Sequence, residues 1–257
     1  MKITSFFTVL LALLLVASCQ DKEQLIEPLH SETTPNLSPQ QVDDLKQLIV
    51  SQLKADDITI SEILDIRYVA NTHIVRFMGN EQPMEMGFGS LFEDDGTTIS
   101  ANINYTVYCS WNCDCGLQGS GNSYLQCKCN RCQMHIRIQD KSGTPYNIQQ
   151  MATESFVKTF GQQPDQLRLS KFRPVKHDIA DVYTIFYMDE HQAESSFMLI
   201  ANNQYEQLTF QGQKSRKNIK KFIVDCTGSC DCRERFFPAN QSVECTCSPC
   251  QMQVTNG

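Results

Sequence analysis

The stretch that decides the fold begins at Cys109 and reads CSWNCDCGLQGSGNSYLQCKCNRCQM as far as Met134. A second stretch, from Cys226 to Met252, reads CTGSCDCRERFFPANQSVECTCSPCQM. The two follow the patterns C-x3-C-x-C-x11-C-x-C-x2-C and C-x3-C-x-C-x12-C-x-C-x2-C. Agreement of this kind between two distant stretches predicts an internal duplication. We call the two stretches the first and second cysteine modules.

The residues before each module also follow a common order. Ser38-Pro39 and Thr144-Pro145 each open an amphipathic stretch, which predicts a helix with a hydroxyl N-cap. The β-like runs that follow predict strands near residues 73–78, 84–91, 103–108, 182–188, 196–201, 207–210 and 221–224. We therefore expect an α+β fold in which a tandem duplication gives two units, each a helix plus antiparallel strands ending in a six-cysteine hairpin.

The amino terminus has the composition of an export signal. Lys2 precedes an apolar run from Phe6 to Ala17, shorter than the about 20 residues that span a bilayer. The run ends in Val16-Ala17-Ser18-Cys19, which resembles the lipobox of bacterial lipoproteins. This resemblance covers residues 1–19. It implies cleavage before Cys19, lipidation of the Cys19 thiol, and a polypeptide anchored to a membrane outside the cytoplasm.

The residues that follow Cys19 bear on its location. Gln20-Asp21-Lys22-Glu23 resembles the surface-export signal of Bacteroidota lipoproteins, which implies an outer-membrane protein that is exposed at the cell surface. The polar, proline-containing sequence beyond it predicts a tether. The expected organisation is a lipoprotein signal peptide at residues 1–18, the tether at 19–37, a first α+β cysteine-rich unit at 38–140 and a second at 141–257.

Disulfide bonds are the favoured state of the modules. Lipidation of Cys19 leaves twelve of the thirteen cysteines, six in each module, in a chain that has left the reducing cytoplasm. If each module is a hairpin with its loop at residues 116–126 or 233–244, nested pairs stay in register apart from one bulge. The predicted pairs are Cys109–Cys132, Cys113–Cys129, Cys115–Cys127, Cys226–Cys250, Cys230–Cys247 and Cys232–Cys245.

Two other kinds of chemistry remain open for the same residues. Converging thiols also suit a Zn(II) or Cu(I) site. Its ligands would come from Cys109, Cys113, Cys115, Cys127, Cys129, Cys132, Cys226, Cys230, Cys232, Cys245, Cys247 and Cys250. The third hypothesis is a thiol–disulfide oxidoreductase that uses one of the C-x-x-C motifs. Other cysteines crowd these motifs and β-like sequence follows them, whereas redox motifs usually begin a helix.

Charge and the absence of catalytic motifs narrow the function. The formal charge of −7 becomes −8 when Lys2 is removed with the leader, and an acidic surface argues against nucleic-acid binding. No HExxH, G-x-S-x-G or glycine-rich phosphate loop occurs. We therefore expect a non-enzymatic binding or structural protein of the cell envelope. Its only covalent group would be the lipid on Cys19, and its partners would be the membrane and an unknown protein or glycan.

Overall fold

The computed structural model describes residues 37–53, 58–96, 98–110, 115–120, 124–129, 132–202, 208–215, 219–228, 232–246 and 249–256. The first half contributes one helix and seven strands: α1 (Pro39–Leu53), β1 (Ile60–Val69), β2 (Thr72–Gly79), β3 (Gln82–Phe88), β4 (Tyr105–Cys109), β5 (Leu117–Ser120), β6 (Tyr124–Cys127) and β7 (Met134–Ile138). The second half contributes α2 (Ile148–Phe160), β8 (Leu167–Lys176), β9 (Ala180–Asp189), β10 (Glu194–Asn202), β11 (Thr209–Phe210), β12 (Gln213–Lys214), β13 (Lys221–Thr227), β14 (Glu234–Phe237), the 3₁₀ turn Pro238–Asn240, β15 (Ser242–Cys245) and β16 (Gln251–Asn256).

The expected α+β class was wrong. Strands make up 52% of the described residues and helices 16%, so the protein is mostly β. One large sheet runs through both halves in the order β1-β2-β3-β4-β7-β8-β9-β10-β13-β16, and the β5–β6 hairpin joins it where β6 pairs with β8. A smaller sheet has the order β12-β11-β15-β14. The predicted strands do not include β1 and β8, two strands of ten residues each, so the expected class undercounted the strands.

The order of strands nevertheless repeats along the large sheet. In each half, three strands form an antiparallel meander, a fourth strand pairs with the third, a short hairpin carries the cysteines, and a last strand pairs with the fourth. This order matches the duplicated cysteine spacing. It allows residues of the two halves to be compared position by position.

The two helices begin at local caps that the sequence supplies. Ser38 accepts a hydrogen bond from the backbone N–H of Gln41, and the Gln41 side chain accepts one from the N–H of Ser38, a reciprocal cap that confirms the predicted start of α1. The second helix begins later than Thr144-Pro145. Asn147 caps it by accepting from the N–H of Gln150 at 3.1 Å.

The core is continuous across the two halves. One cluster of buried residues includes Tyr105 and Val107 from the first half and Phe156, Tyr183 and Phe197 from the second. The helix α2 therefore packs on one face of strands β9 and β10. The opposite face of those strands, which carries alternate residues, packs in part against the smaller sheet, where Val182 and Met198 join a buried cluster with Val243, and in part lines a cleft. Among the described residues, no helix has the length and apolar composition to cross a bilayer.

Candidate functional site: a basic cleft beside the second cysteine module

Each cysteine module is a short hairpin that disulfides join to the large sheet. In the first module, Cys109 on β4 pairs with Cys127 on β6, and their Cα atoms lie 5.8 Å apart. In the second, Cys226 on β13 pairs with Cys245 on β15, with 5.7 Å between the Cα atoms. Both modules thus join their first cysteine to their fourth, which confirms that they form disulfides.

A second pairing is also common to the two modules. Cys115 pairs with Cys132 at a Cα separation of 6.1 Å, and Cys232 pairs with Cys250 at 5.9 Å. These are the third and sixth cysteines of each module. The two copies therefore share a connectivity as well as a spacing.

The nested arrangement predicted from the sequence was wrong for the pairs that the structure describes. Those predictions were Cys109–Cys132, Cys115–Cys127, Cys226–Cys250 and Cys232–Cys245. The reason is register: the residues taken for a loop form the β5–β6 hairpin, in which Leu117 is the cross-strand partner of Cys127. The ladder partner of Cys109 is Met134, which lies beyond the last cysteine of the module.

Three sulfurs of the first module lie close together. The Sγ atoms of Cys115, Cys129 and Cys132 are all within 4.8 Å of one another, and 3.0 Å separates Cys115 Sγ from Cys129 Sγ. Cys132 is within disulfide reach of both other residues. Because one sulfur forms one disulfide, Cys132 cannot pair with both, and the bond to Cys115 is the one that matches the second module. Three thiolates are also one ligand short of the usual four-coordinate structural zinc site.

Several predicted site residues lie outside the described residues, namely Cys19, Cys113, Cys230 and Cys247. The predicted pairs Cys113–Cys129 and Cys230–Cys247 and the lipidation of Cys19 therefore stay predictions.

A cleft of about 780 Å³ lies between the large sheet and the second module. Its floor is the face of β8, β9 and β10 opposite α2, and its wall is the β14 strand. Tyr124 of the first module's hairpin closes one side. The residues that line it are Tyr124, Lys171, Arg173, Val175, His177, Val182, Thr184, Phe186, Glu194, Ser196, Met198, Arg233, Glu234, Arg235, Phe236, Phe237, Pro238 and Thr246. Its volume lies within the range of about 300–1,000 Å³ that is usual for ligand pockets.

Positive charge dominates the lining of this cleft. Lys171, Arg173, Arg233 and Arg235 all line it, in a chain whose formal charge is −7. Glu194 pairs with two of them, at 3.0 Å from Lys171 Nζ and 3.5 Å from Arg233 Nη2. The other two arginines form no ion pair among the described residues.

Aromatic rings hold the cations in position. The Arg233 guanidinium lies 5.3 Å from the centre of the Phe186 ring, and the Arg173 guanidinium lies 5.8 Å from that of Tyr124. Both distances are within the about 6 Å at which cation–π attraction is significant. The edge-to-face contact between Tyr124 and Phe186, with ring centres 5.3 Å apart, joins the two pairs. The cations are thus ordered before any ligand arrives.

A buried carboxyl group lies at the base of the wall. Glu234 is 6% exposed; its carboxyl oxygens accept hydrogen bonds from Ser196 Oγ at 2.7 Å and from the Cys226 N–H at 2.9 Å. Burial raises the pKa of Glu234 to about 7, although the two hydrogen bonds oppose that rise. Near neutral pH this group is therefore divided between its neutral and charged forms.

The disulfides of the second module fix the wall of the cleft. Cys245 ends β15, the partner strand of β14, and its bond to Cys226 ties that hairpin to β13 of the large sheet. The hydrogen bond from Cys226 to Glu234 lies directly beside this link. Covalent and polar contacts together set the width of the cleft.

A second cavity, of about 390 Å³, lies where the two halves of the large sheet meet. Its lining includes Tyr68, His73, Asp94, Lys176 and Asp181, so it carries charges of both signs. The basic cleft is larger and has one dominant charge. It is the better candidate for a site that selects a ligand by charge.

Comparison of the chain with protein-family models, with curated proteins and with solved structures finds no match in any of the three. None of the four cleft cations was among the sequence-predicted site residues. In the sequence these cations are spaced two residues apart, in Lys-Phe-Arg at 171–173 and Arg-Glu-Arg at 233–235. On a strand, that spacing places both positive charges of each pair on one face.

Proposed function

We propose that this chain is a lipid-anchored protein of the cell envelope with a non-enzymatic role, and that it binds an anionic ligand in the basic cleft. The observation that carries the proposal is the concentration of Lys171, Arg173, Arg233 and Arg235 around one cavity of an otherwise acidic chain. Clefts lined by one sign of charge raise the local concentration of ligands of the opposite sign. The disulfide-stapled wall supports a binding role because it keeps the site preformed.

The anchor is supported by the lipobox at Val16–Cys19 and by the disulfides, which suit an oxidising compartment. The test is expression with a tagged palmitate analogue, comparing the natural chain with Cys19→Ser. The natural chain should take up the label and fractionate with the outer membrane. The variant should lose both properties. Equal labelling of the two chains would contradict lipidation at Cys19.

The binding role is tested with the full chain and dextran sulfate, with neutral dextran of equal length as the control polymer. Binding should weaken steeply as salt rises, since charges at an exposed surface are screened over about 8 Å at physiological ionic strength. The double variant Arg173→Ala/Arg235→Ala should bind dextran sulfate more weakly. Arg76→Ala, which removes an exposed charge on β2, is the matched control. Equal binding by both variants would exclude the cleft.

Metal binding is a second candidate, favoured by the cluster of Cys115, Cys129 and Cys132 sulfurs. Zn(II) or Cu(I) would suit such thiolate ligands. Elemental analysis combined with thiol counting on protein recovered from the envelope tests it. Near-stoichiometric metal together with free thiols in the first module would support a metal site, and metal-free protein with paired cysteines would exclude it. A labile Cys129–Cys132 bond that exchanges with a dithiol substrate would favour the oxidoreductase hypothesis instead.

A further inference from the structure

The first half of the chain contains a complete receptor for a carboxylate. The Arg67 guanidinium donates to both oxygens of Glu85, with Nη1 at 3.0 Å from Oε1 and Nη2 at 2.9 Å from Oε2. The Leu117 N–H donates to Oε2 at 2.7 Å, and Lys128 Nζ lies 3.6 Å from Oε1. The Glu85 side chain is only 5% exposed. A forked pair of this kind is among the strongest polar contacts that proteins form.

The strand registers identify the counterparts of these residues in the second half. Val107 and Val224 each stand two places before the first cysteine of a module. The pairs that lead outward from them are Gly87↔Val107, Ile74↔Gly87 and Arg67↔Ile74 in the first half, and Met198↔Val224, Thr184↔Met198 and Arg173↔Thr184 in the second. Arg173 therefore corresponds to Arg67. Ser196, two places before Met198, corresponds to Glu85.

The hairpins supply the remaining correspondences. Leu117 is opposite Cys127, and Glu234 is opposite Cys245, so Glu234 stands where the first half has Leu117. Gly116 corresponds to Arg233 by the same register. A Cβ on Gly116 would lie 2.6 Å from Glu85 Oε2, which shows how tightly the carboxylate fills that space in the first half.

The second half thus keeps the arginine of the receptor and lacks the carboxylate that would occupy it. Ser196 is too short to reach the position that Glu85 takes. Both oxygens of Glu234 are engaged, by Ser196 and by the Cys226 N–H. Among the described residues no carboxylate pairs with Arg173, whose side chain lines the basic cleft. Because Arg233 stands in place of Gly116, a ligand carboxylate must reach Arg173 from the cleft and lie farther out than Glu85 does in the first half.

We propose that Arg173 receives a carboxylate of the ligand in the manner in which Arg67 receives Glu85, and that the ligand is a uronate-containing glycan. This inference rests on the proposed function, because it names the anion that the cleft selects. The planar guanidinium fork matches a carboxylate. The polar side chains of Thr184, Glu194 and Thr246, which also line the cleft, suit the hydroxyl groups of a sugar acid.

The test is calorimetric binding of trigalacturonate to the full chain, with its methyl ester as the neutral control. Arg173→Ala should weaken binding about 10- to 100-fold, the effect of losing a charge-assisted forked contact. Arg173→Lys keeps the charge and removes the fork, and it should also weaken binding, by about tenfold. The Arg76→Ala control should bind as the natural chain does.

A transplant of the first-half arrangement makes the test sharper. Ser196→Glu combined with Arg233→Gly and Glu234→Leu recreates Glu85, Gly116 and Leu117 in the second half, so the new carboxylate should occupy Arg173 and abolish trigalacturonate binding. Arg233→Gly alone, which removes only the cation, is the control and should retain part of the binding. Peptide mapping of the disulfides of the triple variant and its near-ultraviolet circular dichroism report whether it folds. Should it fail to fold, the Arg173→Lys result decides, since that substitution leaves the buried groups in place.

The outcomes separate this inference from the proposed function. Binding of dextran sulfate but not of trigalacturonate, with no effect of Arg173→Lys, would overturn carboxylate recognition and leave an anion-binding cleft. Binding of a glutamate-rich peptide in place of the uronate would overturn the glycan class. If the chain binds none of dextran sulfate, trigalacturonate and the glutamate-rich peptide, both proposals are overturned.

Discussion

Replacement of Glu234 by Gln should stabilise the protein at alkaline pH and leave it nearly unchanged at acidic pH. Glu234 is 6% exposed, and both of its oxygens accept hydrogen bonds within the second module. Glutamine has almost the same shape. It can still accept from the Cys226 N–H, and its amide can donate to Ser196 Oγ. The substitution therefore removes an ionisation while it keeps the packing.

The magnitude follows from the displaced pKa of Glu234. Burial raises that pKa from an ordinary value of 4.5 to about 7, so the folded state holds the proton more tightly than the unfolded state does. Stability then falls as pH rises from about 4.5 to 7, because the native state binds more protons over that interval. At about 1.4 kcal/mol for each pKa unit, the loss is roughly 3 kcal/mol once the carboxyl group is ionised.

The assay is urea unfolding of the oxidised full chain at pH 5 and pH 8.5. The free energy of unfolding of the natural chain should drop between the two, and that of the Gln variant should drop less by up to roughly 3 kcal/mol. Glu244→Gln removes one exposed negative charge from the neighbouring strand β15 and controls for the change in net charge. Parallel profiles for the natural chain and Glu234→Gln would refute the reasoning.

Two further predictions concern the Cys226–Cys245 disulfide of the cleft wall and the Arg67–Glu85 ion pair in the first half of the chain. Replacing Cys226 and Cys245 by Ala should lower the free energy of unfolding by about 3 kcal/mol, the loop-closure value for a disulfide that spans 19 residues, as measured by urea unfolding; no change in midpoint would contradict a stapled wall. Arg67→Ala should cost about 2 kcal/mol at neutral pH, since it leaves the carboxylate of Glu85 buried without its main partner. The pKa of Glu85 is lowered overall: burial alone would raise it, but the hydrogen bonds and charge of Arg67, together with Lys128 and the Leu117 N–H, outweigh burial. The loss of stability in the variant should therefore shrink as acid protonates the carboxylate. A deficit independent of pH would show that Arg67 acts through packing alone.

Local and repeated patterns made part of the fold predictable. The Ser38 cap of α1, most of the strands and the presence of disulfides follow from capping chemistry, alternation and the even cysteine count. The sequence of β8 does not predict a strand, because it contains Pro174, and a proline normally argues against a strand in the middle of a sheet. In β1, exposed residues alternate irregularly, because its pairing with β2 has two register shifts.

The cysteine pairs and the cleft depend on contacts that a linear pattern does not record. The cysteine spacing is compatible with a hairpin in which Cys115 lies opposite Cys127. In the structure the register is shifted by two residues, so that Leu117 lies opposite Cys127. The cleft joins side chains from the consecutive strands β8, β9 and β10 with others from β6 and β14, which lie far from them in the sequence. Its key feature, an arginine without the carboxylate of its repeat, emerges only when the registers of the two halves are compared.

The reactivity of two arginines tests the central claim most directly. Phenylglyoxal modifies accessible guanidinium groups, and mass spectrometry of peptides measures each site separately. Arg67, held by Glu85, should react slowly with or without ligand, whereas Arg173 should react readily in the unliganded chain and be protected by trigalacturonate but not by its methyl ester. Equal reactivity of Arg173 with and without trigalacturonate would contradict the account.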